Sequence, residues 1–255
     1  MSKVIFFEYP FNEKIRVYLR LEYLFKHLFL FSDPKGVSAI SHHIAISTLF
    51  EILELMERVD IKNYLLQDLE KQKTVLLNLR SNINVDQQIL ENSICEIKQN
   101  LISLANNGKP GQFLRDHEWL NSIRGRFSVS GFTPHVDMPS YYFWQNQSFE
   151  YRSKNIEKWI DSLIPIYDSL AIIIKFLRAS NYNKKFLAKN GSYRKMLGGQ
   201  VYQLLRIMVN DNNKVFPEIS ANKHIISIRF FNHDHELKPS HVSQDVEFYM
   251  SLCNI

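Results

Sequence analysis

The N-terminal stretch Val4-Ile5-Phe6-Phe7-Glu8-Tyr9-Pro10-Phe11-Asn12-Glu13-Lys14-Ile15-Arg16-Val17-Tyr18-Leu19-Arg20-Leu21-Glu22 joins two kinds of element at one corner. Its first part, Lys3 to Glu8, is β-branched and aromatic, the composition of a strand. Pro10 has no N–H to give to a ladder and stops that strand. Asn12 is suited to cap a helix, and Glu13 to sit at its positive end. The spacing predicts a helix from there toward Phe31. A chain that opens in this way must feed a sheet with one element and a helical layer with the next, and this stretch is expected to lie where the two layers meet.

Downstream, breakers at Ser32-Asp33-Pro34-Lys35-Gly36 mark a loop. Apolar residues at Ile40, Ile44, Leu49, Leu53 and Met56 predict a helix over about Ser38 to Glu57. Asp60 and Asp86 are placed to cap two more, the first carrying Leu65, Leu69, Leu76 and Leu79, the second Leu90, Ile94, Ile97, Leu101 and Leu104. Asn106-Asn107-Gly108-Lys109-Pro110-Gly111 ends the second of these. A short helix is expected at Gln112 to Arg124. From Arg126 to Gln147 the chain loses helical period, and a short strand at Phe127–Val129 is the expectation there. A long helix follows over about Glu150 to Ala179. Strands are expected at Lys185–Ala188, Val201–Val209, His224–Phe231 and Val246–Cys253, each bounded by Asn, Gly, Asp or Pro. The fold class is therefore α+β: about five helices, and a mostly antiparallel sheet built from the N-terminal strand and the C-terminal strands. The expected division is residues 12–124 and 150–180 for the helical domain, and 1–11, 125–149 and 181–255 for the strand domain.

Several function classes lose ground at this point. The sequence has no P-loop, no dinucleotide-binding glycine pattern, no His-Glu-x-x-His and no Gly-x-Ser-x-Gly elbow. An enzyme is not expected, nor is a cofactor. His233-Asp234-His235-Glu236 is the best metal-like cluster, but no second cluster supplies spaced ligands, and it reads as a polar turn between strands. His42-His43 places imidazoles on adjacent helix faces, where they read as surface or partly buried polar residues. Cys253 lies in an apolar strand and reads as an inert core thiol. With two cysteines, no stretch like a signal peptide and no apolar run of about 20 residues, a reduced cytoplasmic setting away from the membrane is expected.

Charge points to a partner. The chain carries a net +5, but residues 181–230 hold nine Lys or Arg against Asp211 and Glu218, a local +7 that leaves the remainder at −2. Lys184, Lys185, Lys189, Arg194, Lys195, Arg206, Lys223 and Arg229 belong to that region. Phe186, Tyr193, Tyr202, Phe216, Phe230 and Phe231 interleave with it. Such a face suits single-stranded nucleic acid, held by stacking, or a peptide with apolar and acidic groups. Composition does not choose between them. Arg16 and Arg20, one helical turn apart, share a face; ion pairs with Glu13 or Glu22 are their alternative use.

The chain resembles the ZapD family, the Z-ring-associated cell division proteins. The resemblance is carried by Phe7-Glu8-Tyr9-Pro10-Phe11-Asn12-Glu13-Lys14-Ile15-Arg16 with Leu19-Arg20-Leu21-Glu22, Gly111-Gln112-Phe113-Leu114-Arg115, and Arg126-Phe127-Ser128-Val129 with Gly131. It continues through Met138-Pro139-Ser140 with Trp144, Trp159-Ile160-Asp161-Ser162-Leu163, Asn190-Gly191-Ser192-Tyr193, Pro217-Glu218-Ile219-Ser220 and Ile228-Arg229-Phe230-Phe231. It implies a cytoplasmic homodimer, recruited to the division site at mid-cell, that binds the C-terminal tail of FtsZ and cross-links its filaments during septation. The helical domain is implied to dimerise, and the tail to dock in a basic pocket of the strand domain near the start of the first helix. No nucleic acid is expected under this reading. The family's arginines fall on Arg16 and Arg229. A second basic position falls on Ile225, beside Lys223 and His224, and a histidine falls on Tyr142. The set expected to meet the tail is thus Arg16, Arg20, Tyr142, Arg206, Lys223, His224 and Arg229.

Overall fold

Asn12 does what its position promises: its Oδ1 accepts the Ile15 N–H at 2.9 Å, and helix α1 (Glu13–Ser32) starts directly after strand β1 (Val4–Pro10). The structure, a computed structural model, describes residues 4–32, 38–127, 129, 131, 133–211, 214–232 and 238–255. The expected loop residues 33–36 and the cluster His233-Asp234-His235-Glu236 lie outside them. The chain divides into two compact units, residues 1–16 with 174–255 and residues 17–173. The fold is α+β, with antiparallel sheets made from the N-terminal strand and the C-terminal strands.

The helical unit contains most of α1 and helices α2 (Ala39–Arg58), α3 (Ile61–Asn78), α4 (Gln87–Asn106), α5 (Gln112–Arg115), α6 (Glu118–Phe127), α7 (Pro134–Asp137), α8 (Pro139–Gln145), α9 (Phe149–Asp161) and the start of α10 (Ile164–Ala179). Ser38, Asp60 and Asp86 cap α2, α3 and α4, each accepting a backbone N–H from the first turn. Tyr18, Leu21, Phe25 and Leu28 form the fully buried stripe of α1. The Tyr18 hydroxyl donates to Asp68 Oδ2 at 2.8 Å, and burial beside that carboxylate drives its pKa far above the ordinary phenol value. α2 is long and apolar enough by composition to cross a membrane, and half of that stretch is buried.

Three expectations change here. The long helix over 150–179 is two helices, because Pro165 has no N–H for an i→i−4 bond and fits only the first turn of α10. The helix at 112–124 is likewise divided into α5 and α6. Of the expected strand at Phe127–Val129, Phe127 belongs instead to α6, and residue 128 lies outside the described residues. Aromatic packing replaces helical period as the organising force: Trp119, Trp144 and Trp159 lie 5.9–6.0 Å apart, centroid to centroid, with Tyr141 stacked on Trp144 at 5.9 Å.

The strand unit holds β1, β2 (Lys184–Ala188), β3 (Ser192–Met196), β4 (Leu204–Asn210), β5 (Val215–Ala221), β6 (Ile225–Asn232), β7 (Ser240–His241) and β8 (Val246–Cys253). One sheet runs β1-β4-β8-β2; the other runs β3-β6-β5, with β7 pairing β6. Leu205, Ile207 and Val209 of β4, Ile226, Ile228 and Phe230 of β6, and Val246, Phe248 and Met250 of β8 alternate into one core. Tyr9 of β1 joins it, and its hydroxyl donates to the Ala221 carbonyl at 3.1 Å. Gly191 turns β2 into β3 at φ +67°, where a Cβ would collide with the Val242 carbonyl oxygen.

His42 departs from the expectation of a surface or partly buried imidazole. It is fully buried against Phe149, with a ring centroid separation of 5.6 Å, and neither ring nitrogen has a hydrogen-bond partner among the described residues. Burial, reinforced by the Arg152 charge, lowers its pKa to about 4. The unfolded imidazole takes up a proton below about pH 6.5 while the folded one resists until about 4, so stability is full above 6.5 and falls between those values. The loss expected from His42 is about 2 kcal/mol between pH 7.5 and pH 5. Denaturant titrations followed by tryptophan fluorescence at both pH values should show it in the wild type and not in His42→Leu. Equal pH dependence of the two proteins would rule the assignment out.

Candidate functional site

The outward face of β6 is set by the alternation that builds the core. With Ile226, Ile228 and Phe230 turned in, Ile225, Ser227, Arg229 and Phe231 turn out. Register supplies their neighbours. Arg229 lies between Ser192 of β3 and Glu218 of β5, Ser227 between Arg194 and Ser220, and Phe231 between Phe216 and His241. The Phe216 and Phe231 rings stack at 6.1 Å with 26° between their planes, and His241 meets Phe231 edge-on at 5.6 Å. Ser192 Oγ and His241 Nε2 are 3.1 Å apart. Arg229 and Arg194 are exposed, and among the described residues no ion pair or side-chain hydrogen bond engages either guanidinium. The face can therefore present unneutralised cations beside an aromatic wall, which is the chemistry for a carboxylate with an adjoining apolar group.

The other expected residues are placed differently. Arg16 sits in the first turn of α1, with its Nε 3.4 Å from Glu13 Oε2 and side chains 55% and 78% exposed. A pair this open is worth roughly 0–1 kcal/mol and yields readily to another anion. No hydrogen bond or ion pair among the described residues joins Arg16 to Arg229. Lys223 and His224 lie in the turn that leads into β6, where Asn222 Oδ1 accepts the His224 and Ile225 N–H groups at 2.8 and 3.0 Å. Both are exposed, and at about 3.3 Å per residue they lie roughly 17–20 Å along the chain from Arg229. Arg20 and Tyr142 belong to the helical unit. Arg20 is exposed, and Tyr142, 47% exposed on α8, packs edge-on against His135 at 5.8 Å.

Arg206 has an internal partner. Its Nε donates to Glu8 Oε1 at 2.9 Å, and its guanidinium lies 5.0 Å from the Phe6 ring centre. Arg178 donates to both oxygens of the same carboxylate, at 2.8 and 2.7 Å. Sequence reading missed this use of Glu8. The available signal was a lone carboxylate amid strand-forming apolar residues. The aromatic residues interleaved with the basic region also divide: Tyr193 and Phe186 pack against the core and Phe230 is fully inside it, while Phe216 and Phe231 stack on each other. A nucleic-acid stacking platform is correspondingly reduced. In the helical unit, Trp119, Trp144, Trp159, Phe143 and Tyr151 line a cleft of about 510 Å³ that contains none of the expected site residues. Among the described residues no group of His, Cys, Asp or Glu is arranged to hold a metal ion.

Comparison with known proteins converges on one family. A family model, ZapD, described as cell division protein, matches residues 19–229. The chain is 46% identical over 254 residues to the cell division protein ZapD of Bordetella pertussis, covering 100% of both chains. It is 45% identical over 251 residues to that of Bordetella petrii, covering 98% of this chain and 100% of the relative. The corresponding protein of a Janthinobacterium species is 42% identical over 252 residues, with 98% and 100% coverage.

The Glu8 arrangement yields a test separate from binding. Glu8→Gln removes a charge that two guanidiniums share, with its side chain 17% exposed, and is expected to lower the unfolding free energy by about 2–3 kcal/mol. Chemical denaturation of the intact chain measures this. A loss below about 0.5 kcal/mol would show that solvent already satisfies those arginines.

Proposed function

The chain belongs to the ZapD family of cell division proteins, and on that premise we propose that it is a non-enzymatic adaptor that binds the C-terminal tail of FtsZ. Acting as a homodimer in the cytoplasm, it cross-links FtsZ filaments into bundles and so stabilises the Z-ring at mid-cell during cytokinesis. The observation that carries this reading is Arg229: an exposed guanidinium beside the Phe216–Phe231 stack, with no ion pair or side-chain hydrogen bond among the described residues. A carboxylate of the tail takes the bidentate fork and an adjacent aliphatic or aromatic residue covers the rings. Arg16, loosely held by Glu13, is the second contact. Helices of the second unit form the dimer.

A site of this size is expected to be weak, about micromolar, because ordering a disordered tail costs a few kcal/mol of the gross interaction. Weak sites suffice for bundling. A dimer presents two of them, and a filament presents tails in a row, so the second contact forms at high effective concentration.

The testing experiment is co-sedimentation with FtsZ filaments, using full-length FtsZ and FtsZ lacking its C-terminal tail. Binding is expected only to the full-length form. Arg229→Glu and Arg16→Glu should each reduce it by tenfold or more while leaving the dimer folded. If both variants sediment with filaments as the wild type does, the proposed face is wrong. Binding to tailless FtsZ would remove the tail as the ligand.

A further inference from the structure

We propose that Arg194 supplies, from the neighbouring strand, the cation that position 225 lacks, and that it grips an acidic peptide together with Arg229. The inference rests on reading this face as the site for the FtsZ tail.

The resemblance implies a second basic position at residue 225, which is Ile on β6 here. The register shows where a replacement stands. On β3, Ser192 lies opposite Arg229, Arg194 opposite Ser227 and Met196 opposite Ile225. Arg194 is therefore diagonal to both Ile225 and Arg229 and points out of the same face. Diagonal neighbours across an antiparallel pair are about 7–8 Å apart, within the span of an arginine side chain. Lys223 and His224, nearer to Ile225 in sequence, lie at the far end of β6 in the turn that Asn222 holds.

The electrostatics favour the same assignment. Two like charges set this close on a sheet destabilise it unless an anion lies between them. Glu218, directly opposite Arg229 on the other side, makes no ion pair with it among the described residues. Three other basic residues of the strand unit are already engaged. Lys185 pairs with Glu247 at 2.9 Å, Lys195 covers the Phe186 ring at 5.7 Å and Arg206 binds Glu8. Arg194 and Arg229 remain free of such contacts and adjacent. Apolar groups flank them on both sides: Phe216 and Phe231 one way, Ile225 and the 72% exposed Met196 the other. The fitting ligand is an extended acidic segment that sets its carboxylates on the arginine pair and its apolar residues on either flank.

A basic residue on an outer strand also discourages edge-to-edge association, a role that needs no ligand. The test separates these uses. Binding of a fluorescein-labelled FtsZ C-terminal tail peptide to the intact chain is measured by anisotropy. Arg194→Gln is expected to weaken it about tenfold, and Arg194→Lys, which keeps the charge but not the fork, about threefold. Adding Ile225→Arg to Arg194→Gln should restore most of the affinity. The proposal is overturned if Arg194→Gln binds within twofold of the wild type while Arg229→Glu does not bind, or if Ile225→Arg restores nothing. Failure of the wild type itself to bind the peptide would remove the tail reading, and this proposal with it.

Discussion

The carboxylate of Glu8 holds the two ends of the chain in one sheet. Its oxygens accept from Arg178, at the end of α10, and from Arg206, on β4, at 2.7–2.9 Å. Burying a carboxylate to this degree is unfavourable unless charged donors replace its water, and here two guanidiniums do so. The backbone follows the same connection. β1 pairs with β4 from Val4↔Asn210 to Pro10↔Leu204, a ladder that closes some 200 residues of intervening chain. The strand of the opening stretch therefore belongs to the C-terminal sheet because its one charged side chain has its partners there. Its helix enters the other unit because Pro10 and Asn12 end one element and begin the next within three residues.

Elements with strong local signals were legible. β8 spans Val246–Cys253, the bounds expected from its β-branched and aromatic residues, and the caps at Asp60 and Asp86 start their helices where expected. Elements whose reason lies elsewhere in the chain were not. β3 reads Ser-Tyr-Arg-Lys-Met, too polar to stand out, and becomes a strand because β6 offers it a ladder. β5 contains Pro217, which argues against a strand. The Phe230 N–H is turned to the Gly191 carbonyl at 2.8 Å and its carbonyl accepts from Val242. The pair Pro217↔Phe230 consequently needs no donor from β5, and the missing N–H falls on the open edge of the sheet, where its absence deters pairing with another chain. Between Arg126 and Gln147, the loss of helical period was real, but most of the described residues there are helical. Short helices there are held by rings packed on rings, a force with no sequence period.

For the candidate site, sequence supplied residue types and the structure supplied partners. Counting charges put Arg206 with Arg229, since nothing local distinguishes them. The difference is Glu8, 198 residues away in the chain from Arg206. Counting aromatic residues likewise put Phe230 with Phe231, although adjacent residues of a strand face opposite sides and only one of them can meet a ligand. The family resemblance singled out Arg229, which the structure leaves exposed, whereas the neighbourhood of Arg194 depends on a register that composition does not encode.

These two fates of arginine bear on how such a protein works. An arginine neutralised inside its own fold, as Arg206 is at 17% exposure, has its interaction energy committed to the folded state. It could bind an outside carboxylate only by releasing Glu8, at a cost of several kcal/mol. An arginine left exposed and unpaired gives little to stability and keeps its hydrogen-bonding capacity for whatever arrives. A chain that stabilises one fold and, as proposed, captures an acidic partner must keep these populations apart. The strand unit does so by face: Glu8 and Arg206 share one ladder of the β1-β4-β8-β2 sheet, and Arg194 and Arg229 share a ladder of the other. Charges on the second sheet can then change without loss of the ion pairs that hold the first, so the proposed site is adjustable while the fold that carries it stays constant.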